Sequence, residues 1–431
     1  MANIENYKAD FETCKQQILN DTLKVCLDSR LIQKGDYFVA VKGENHDGHK
    51  FINDVMEKGA SGVLEVSELY ELVQFKMEYV KPMIVGITGS TGKTSVTNYI
   101  TQILATKYDI CRGSLNTKLG LSVDVINNMS LTCQVFVAEM GMDAPLQIKD
   151  MVSMFPPHIA VITTINETHI EKLGSIENIA KAKSEILSNS SKNDIAVLNF
   201  NNSYTKKIGN EFVGKVVWFG DSEQADFNFS NTNLENSKLL GQHSRFNLLA
   251  VVAVCENVGM TKEEIYSVLP QLSIPKGRLN VLEGVNDSVL IDDTYNSSPE
   301  STKAAVDVLS DYQKENKIAI LGDMLELGEI ANSSHYNIGK YLKDKKINTL
   351  VCVGNLSKEI AKGAKDFVRD IYEITSWTDF ENIKGNLKID KNTVILIKAS
   401  QGIRLEKITK MLLKNPEKAK DLLVRQDERW K

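Results

Sequence analysis

Short apolar runs alternate with longer amphipathic stretches between positions 82 and 274, the pattern of a mostly parallel sheet covered on both faces. Strands are predicted over 83–87, 135–138, 159–163, 195–198 and 216–219, and a helix over 95–104 turns Val96, Ile100, Ile103 and Leu104 inward. The alternation returns after position 275, with strands over 289–291, 318–321, 349–353 and 394–397. Pro299 and Glu300 suit the first turn of a helix reaching 309. Ahead of position 82 lie a strand over 37–41, a helix over 51–58 and a strand over 61–66. The tail, 415–431, is highly charged and reads as a surface helix. The chain therefore divides into three α/β segments, 1–81, 82–274 and 275–431.

The most informative junction follows the run at 83–87. Thr88, Gly89, Ser90, Thr91, Gly92, Lys93 and Thr94 stand between that predicted strand and the predicted helix. Strand, glycine loop and helix make a phosphate cradle: backbone amides face the anion and the helix N-terminus adds a favourable dipole. Lys93 would reach the β- and γ-phosphates, and the Thr94 hydroxyl would sit on Mg²⁺. Ile87 stands where the usual pattern has a glycine, and Gly89 is the first loop glycine. Glu139 ends the apolar run 135–138, the place where a carboxylate meets nucleotide-bound Mg²⁺ beside such a loop. By spacing alone, Lys183 reads as a solvated lysine, His169 as an ordinary histidine, and Asp28–Arg30 and His46–His49 as solvated turns.

Composition narrows the classes. At 431 residues, 42% hydrophobic and 25% charged, the chain has the make-up of an ordinary globular protein of two or three domains. A net charge of −5 leaves no basic footprint for nucleic acid. No apolar run approaches spanning length, residues 1–20 are too polar for a signal peptide, and six scattered cysteines fit a reducing cytoplasm.

Taken together, the motifs resemble the Mur ligase superfamily over nearly the whole chain. The phosphate loop fits that family's TGxxGK(T/S) form, which accounts for Ile87. Asp28-Ser29-Arg30 and the stretch 35–51 look like its uridine-nucleotide-binding domain, and 168–187 like its segment with a metal-binding histidine and a carbamylated lysine. The stretches 292–301 and 321–329 resemble the branch that joins D-alanyl-D-alanine to a UDP-N-acetylmuramoyl-tripeptide, and no DNPR motif of the diaminopimelate-adding branch occurs.

The resemblance implies a three-domain architecture. A UDP-substrate domain (1–81) would precede a central P-loop domain (82–274) and a Rossmann-like domain for the amino acid or dipeptide (275–431). It implies catalytic roles for Lys93, Glu139, His169 and Lys183, and ATP contacts from Gly89, Ser90, Thr91, Gly92, Lys93, Thr94, Asn247, Arg278, Asp293 and Tyr295. Substrate contacts would come from Ser29, Arg30, His46, Asp47, Asn116 and Thr117. Thr94 and Glu139 would hold one Mg²⁺, and His169 and a carbamate on Lys183 a second. The implied partners are the UDP-linked muramoyl peptide and D-alanyl-D-alanine, handled by a cytoplasmic monomer without nucleic acid or membrane insertion. Asn116-Thr117 replaces the family's Asn-Asn, Pro145-Leu146-Gln147-Ile148 its PGEI, and Ser244 an asparagine. Two further readings stay open: a ligase joining another amino acid or peptide to another carboxylate, and a nucleotide-regulated binding protein without turnover.

Overall fold

The apolar runs become buried strands because every second side chain meets a different layer. In the central sheet, Ile84, Phe136 and Ala160 point into one hydrophobic cluster, while Val85, Val137 and Val161 point into another. The computed structural model describes residues 4–43, 47–168, 170–427 and 430, and these form three sheets. The calls at His46 and His169 lie outside the described residues.

The first sheet has three parallel strands, β1 (Val25–Cys26), β2 (Tyr37–Ala40) and β3 (Gly62–Glu65), in that order. The predicted strand at 61–66 stops at Glu65, which opens the helix Val66–Val80 in a capping box: its side chain faces the Glu68 amide, and the Glu68 carboxylate accepts from the Glu65 amide at 2.8 Å. This helix, unmarked in the sequence reading, buries Leu69, Leu72 and Val73 in the cluster that also covers one face of the central sheet.

The central sheet is all parallel, ordered β5-β6-β4-β7-β8-β9, from β4 (Met83–Thr88), β5 (Ile110–Arg112), β6 (Val135–Glu139), β7 (Ile159–Ile162), β8 (Ile195–Asn199) and β9 (Lys215–Phe219). The phosphate-loop strand β4 sits between β6 and β7, so Glu139 and Thr163 emerge on either side of the loop.

The third sheet is ordered β10-β11-β15-β12-β13-β14. Its strands are β10 (Asn280–Glu283), β11 (Val289–Asp293), β12 (Asn316–Gly322), β13 (Thr349–Val353), β14 (Asp370–Ile374) and β15 (Thr393–Lys398). Only the β10–β11 pair is antiparallel. The last strand, β15, lies between β11 and β12.

The predicted surface helix of the tail is corrected. A short 3-10 turn, Pro416–Lys418, and one helical turn, Ala419–Leu422, dock through Ala419 and Leu423, each 2% exposed. Three apolar side chains in a charged stretch are enough to pull it onto the sheet layer. The segment that carries Lys183 forms a helix, Ile176–Ser184, that tightens into a 3-10 turn at Glu185–Leu187.

Candidate active site

The loop after β4 is shaped by two glycines with positive φ. Gly89 lies at φ +147°, and a Cβ there would stand 1.9 Å from Thr163 Oγ1; Gly92, at +86°, presses against the Asn247 amide. Only glycine admits both the backbone angle and the contact. Gly92 then caps the helix Lys93–Leu104, whose first turn carries no acid, as an anion site requires. Thr163 Oγ1 donates to Thr91 O and ties the loop to the end of β7.

Lys93 folds back along the loop and donates to Gly89 O at 2.7 Å. Burial lowers its pKa, the Glu139 carboxylate raises it, and the Arg278 guanidinium lowers it further. Lys183 is 1% exposed, and no acid pairs with it among the described residues. Burial first, and the charge on Lys93 second, hold its pKa well below the ordinary lysine value. Spacing alone reads Lys183 as solvated because of its charge, yet it shares the buried helix face of Ile179 and Ala180, four and three residues before it.

A cavity of about 870 Å³ opens over the loop. The central sheet supplies the loop residues from Ser90 to Thr94, with Asn116, Thr117, Glu139 and Asn247; the third sheet supplies Arg278, Asp293 and Tyr295. The structure thus brings most of the expected ATP residues to one cavity. Gly89 and Lys183 are not among the residues that line it, although Lys183 lies near enough to Lys93 to feel its charge. Ser29, Arg30 and Asp47 are not brought there: no residue before Ser90 lines this cavity. Arg30 pairs with Asp28 at 2.6 Å and is largely exposed, and Asp47 caps a turn and holds His49 Nδ1 at 2.7 Å. Asn116 packs against Gly141, and Thr117 Oγ1 caps the helix Lys118–Asn128.

Hydrogen bonds join the two sheet regions across the cavity. Arg278 Nη2 donates to Thr94 Oγ1 at 3.3 Å, and Asn166 Nδ2 donates to Glu300 Oε2. Burial raises the Glu300 pKa, which the Asn166 bond opposes. Asp293 accepts from Lys398 Nζ at 2.6 Å, and Lys398 also bonds Asn296 O at 2.9 Å. Lys398, Asn166 and Glu300 were missed. Lys398 ends the apolar run of β15 as Glu139 ends that of β6, and the same rule would have found it.

The donor set suits a hard cation. Glu139 stands at the cavity wall, and among the described residues its carboxylate accepts no hydrogen bond, so its oxygens are free for Mg²⁺ beside the Thr94 hydroxyl.

Comparison with known proteins agrees with this geometry. Residues 87–255 match the Mur ligase middle domain, and 277–401 match the domain described as "Mur ligase, glutamate ligase domain". The UDP-N-acetylmuramoyl-tripeptide–D-alanyl-D-alanine ligase of Bacillus subtilis is 30% identical over 434 residues, covering 91% of this chain and 93% of that protein. Its namesake from Rickettsia prowazekii is 31% identical, covering 89% and 94%. The MurF ligase of Thermotoga maritima, solved in complex with ADP, superposes with a TM-score of 0.80 at 26% identity, over 92% of this chain and 99% of that one. MurF from Acinetobacter baumannii, at 23% identity and a TM-score of 0.81, shares the fold over 92% of this chain and 97% of its own. The chain therefore belongs to the Mur ligase family, in the branch of the UDP-N-acetylmuramoyl-tripeptide–D-alanyl-D-alanine ligases.

Proposed function

We propose that this chain is an ATP-dependent peptide ligase that joins D-alanyl-D-alanine to a UDP-N-acetylmuramoyl-tripeptide, forming ADP and phosphate in peptidoglycan precursor synthesis. The observation that carries the reading is the cavity itself, where a phosphate loop with Lys93 faces Glu139 and the third sheet lays Arg278 onto Thr94. The tripeptide carboxylate attacks the γ-phosphorus, the bond to ADP breaks, and an acyl phosphate forms. The dipeptide amine then attacks the acyl carbon, and the tetrahedral adduct expels phosphate to leave the amide. Lys93 and the loop amides hold the transferring phosphoryl group, and Arg278 approaches from the opposite sheet. Asn247 would contact the adenine, and Asp293 and Tyr295 close over the nucleotide. Closure of the two sheets over the substrates before chemistry would keep water from hydrolysing the acyl phosphate.

Thr94 and Glu139 would hold one Mg²⁺, and His169 with a carbamate on Lys183 a second. A divalent cation held by these residues would supply positive charge against the phosphate oxygens. CO₂ carbamylates a lysine only when the amine is neutral, and the lowered pKa of Lys183 supports that state. The segment 1–81, with Ser29, Arg30, His46 and Asp47, is assigned the UDP substrate, and Asn116 and Thr117 its peptide end. Residues 275–431 are assigned the dipeptide. A monomer in the cytoplasm suits six free cysteines, and among the described residues no helix is long and apolar enough to cross a membrane.

The test is phosphate release by the purified chain. Release that needs ATP, the UDP-muramoyl-tripeptide and D-alanyl-D-alanine together, and that falls at least about 10²-fold in Lys93→Ala, is expected. Turnover with a different carboxylate or amine, or none, would overturn the substrate reading. Near-normal turnover in Lys93→Ala would overturn the phosphate-loop assignment.

A further inference from the structure

The C-terminal tail bonds through Arg425 to the loop that carries Tyr295. Arg425, with its side chain 5% exposed, donates from Nη1 to Thr294 O at 3.0 Å and from Nη2 to Tyr295 O. The same Nη1 reaches Glu406 Oε2 at 3.2 Å, and Glu406, itself fully buried, also accepts from Arg404 Nε at 2.6 Å. Arg425 thus bridges a fixed carboxylate to two successive carbonyls of the loop after β11. Its backbone, at φ +55°, lies where non-glycine residues are uncommon, so contacts hold the tail there and not chain preference.

That loop carries Tyr295, which is 36% exposed. The Tyr295 ring centre lies 4.1 Å from the Arg278 guanidinium carbon and 5.8 Å from that of Arg425, both within cation–π reach. Tyr295 N donates to Gly277 O at 3.1 Å, which fastens the residue before Arg278 to the same loop. Arg278 Nε is buried without a partner, so the ring and the Thr94 contact are what orient its guanidinium. The sequence of contacts runs from Glu406 through Arg425, Tyr295 and Arg278 to Thr94.

We propose that Arg425, anchored by Glu406, is a positioning residue for the nucleotide: it braces Tyr295 against Arg278 and thereby sets where Arg278 meets the phosphate loop. The inference rests on the reading of this cavity as the ATP site. Neither Arg425 nor Glu406 lines the cavity over the loop, so they act only through the residues between.

Steady-state phosphate release by the full chain tests this, with Arg425→Gln, Arg425→Lys, Tyr295→Ala and the double variant Arg425→Gln/Tyr295→Ala. Arg425→Gln should raise the KM for ATP about tenfold, the scale of one lost charged hydrogen bond, with kcat and the KM for the UDP substrate within about twofold. Arg425→Lys, which keeps the charge but replaces the planar fork that spans Glu406, Thr294 O and Tyr295 O by a single nitrogen, should fall between. In the Tyr295→Ala background, Arg425→Gln should add almost nothing, because the ring it braces is gone. A wild-type ATP KM in Arg425→Gln, or effects that multiply in the double variant, would overturn the proposal. Where Arg425→Gln lowers soluble yield, Glu406→Gln loosens the anchor and should raise the ATP KM alone; an unchanged KM there counts against it equally. A wild-type chain without ATP turnover would instead overturn the reading of the site.

Discussion

Lys398, at the end of β15, donates from Nζ to Asp293 Oδ2 at 2.6 Å, and their side chains are 1% and 9% exposed. Burial lowers the Lys398 pKa and Asp293 offsets it. Lys398→Met would leave the buried Asp293 carboxylate without its cation at the cavity wall, and should cost about 3–5 kcal/mol in urea unfolding. Lys398→Met/Asp293→Asn should recover much of that loss, since no unpaired charge remains. A single variant within about 1 kcal/mol of wild type would show that solvent reaches the pair.

Lys183→Ala should abolish turnover while the helix Ile176–Ser184 persists, because alanine is the better helix former. If the lysine acts as a carbamate, formate or acetate in the buffer should restore part of the activity, and chloride at equal ionic strength should not. Full activity of the variant in buffer stripped of CO₂ and carboxylates would show that the side chain has no part in the reaction.

The amino-terminal segment offers a pH test. His49 Nδ1 meets Asp47 Oδ1 at 2.7 Å and Nε2 meets Glu65 Oε1 at 3.1 Å, and these hydrogen bonds raise the His49 pKa. A raised folded pKa favours the folded state fully below about pH 6.5, and the benefit fades as pH rises through the folded value. Relative to His49→Gln, the wild-type urea midpoint should therefore be higher at pH 5.5 and converge above neutrality. A difference independent of pH would mean that the imidazole stays neutral between its two acids.

How much of this was readable in advance depended on where the physics was local. The phosphate loop was readable because glycines, lysine and threonine are contiguous and sit between an apolar run and an amphipathic one. The inner strands β4, β7, β13 and β15 are continuous apolar runs, and they appear within a residue or two of their expected limits. The edge strands β5, β10 and β14 were missed: they are short or half-exposed, and their hydrophobic signal is correspondingly thin. Lys398 and the Asn166–Glu300 bond depend on which segments the topology brings together. The docked tail failed for the opposite reason, since abundant charge hid the few apolar anchors that decide its position.

The placement of β15 between β11 and β12 has a consequence for biosynthesis. A chain emerging from the ribosome has made β10 to β14 before the strand that belongs in their middle exists. Until residue 398 clears the exit tunnel, β11 and β12 each present an unpaired inner edge, the kind of surface on which strands of another chain can pair. Truncation after β14 would thus remove the centre of the sheet, together with Lys398, and leave two strand sets with no shared partner. The last quarter of translation is when this protein is most exposed to misassembly, and chaperone dependence should be greatest for nascent chains halted just short of that strand.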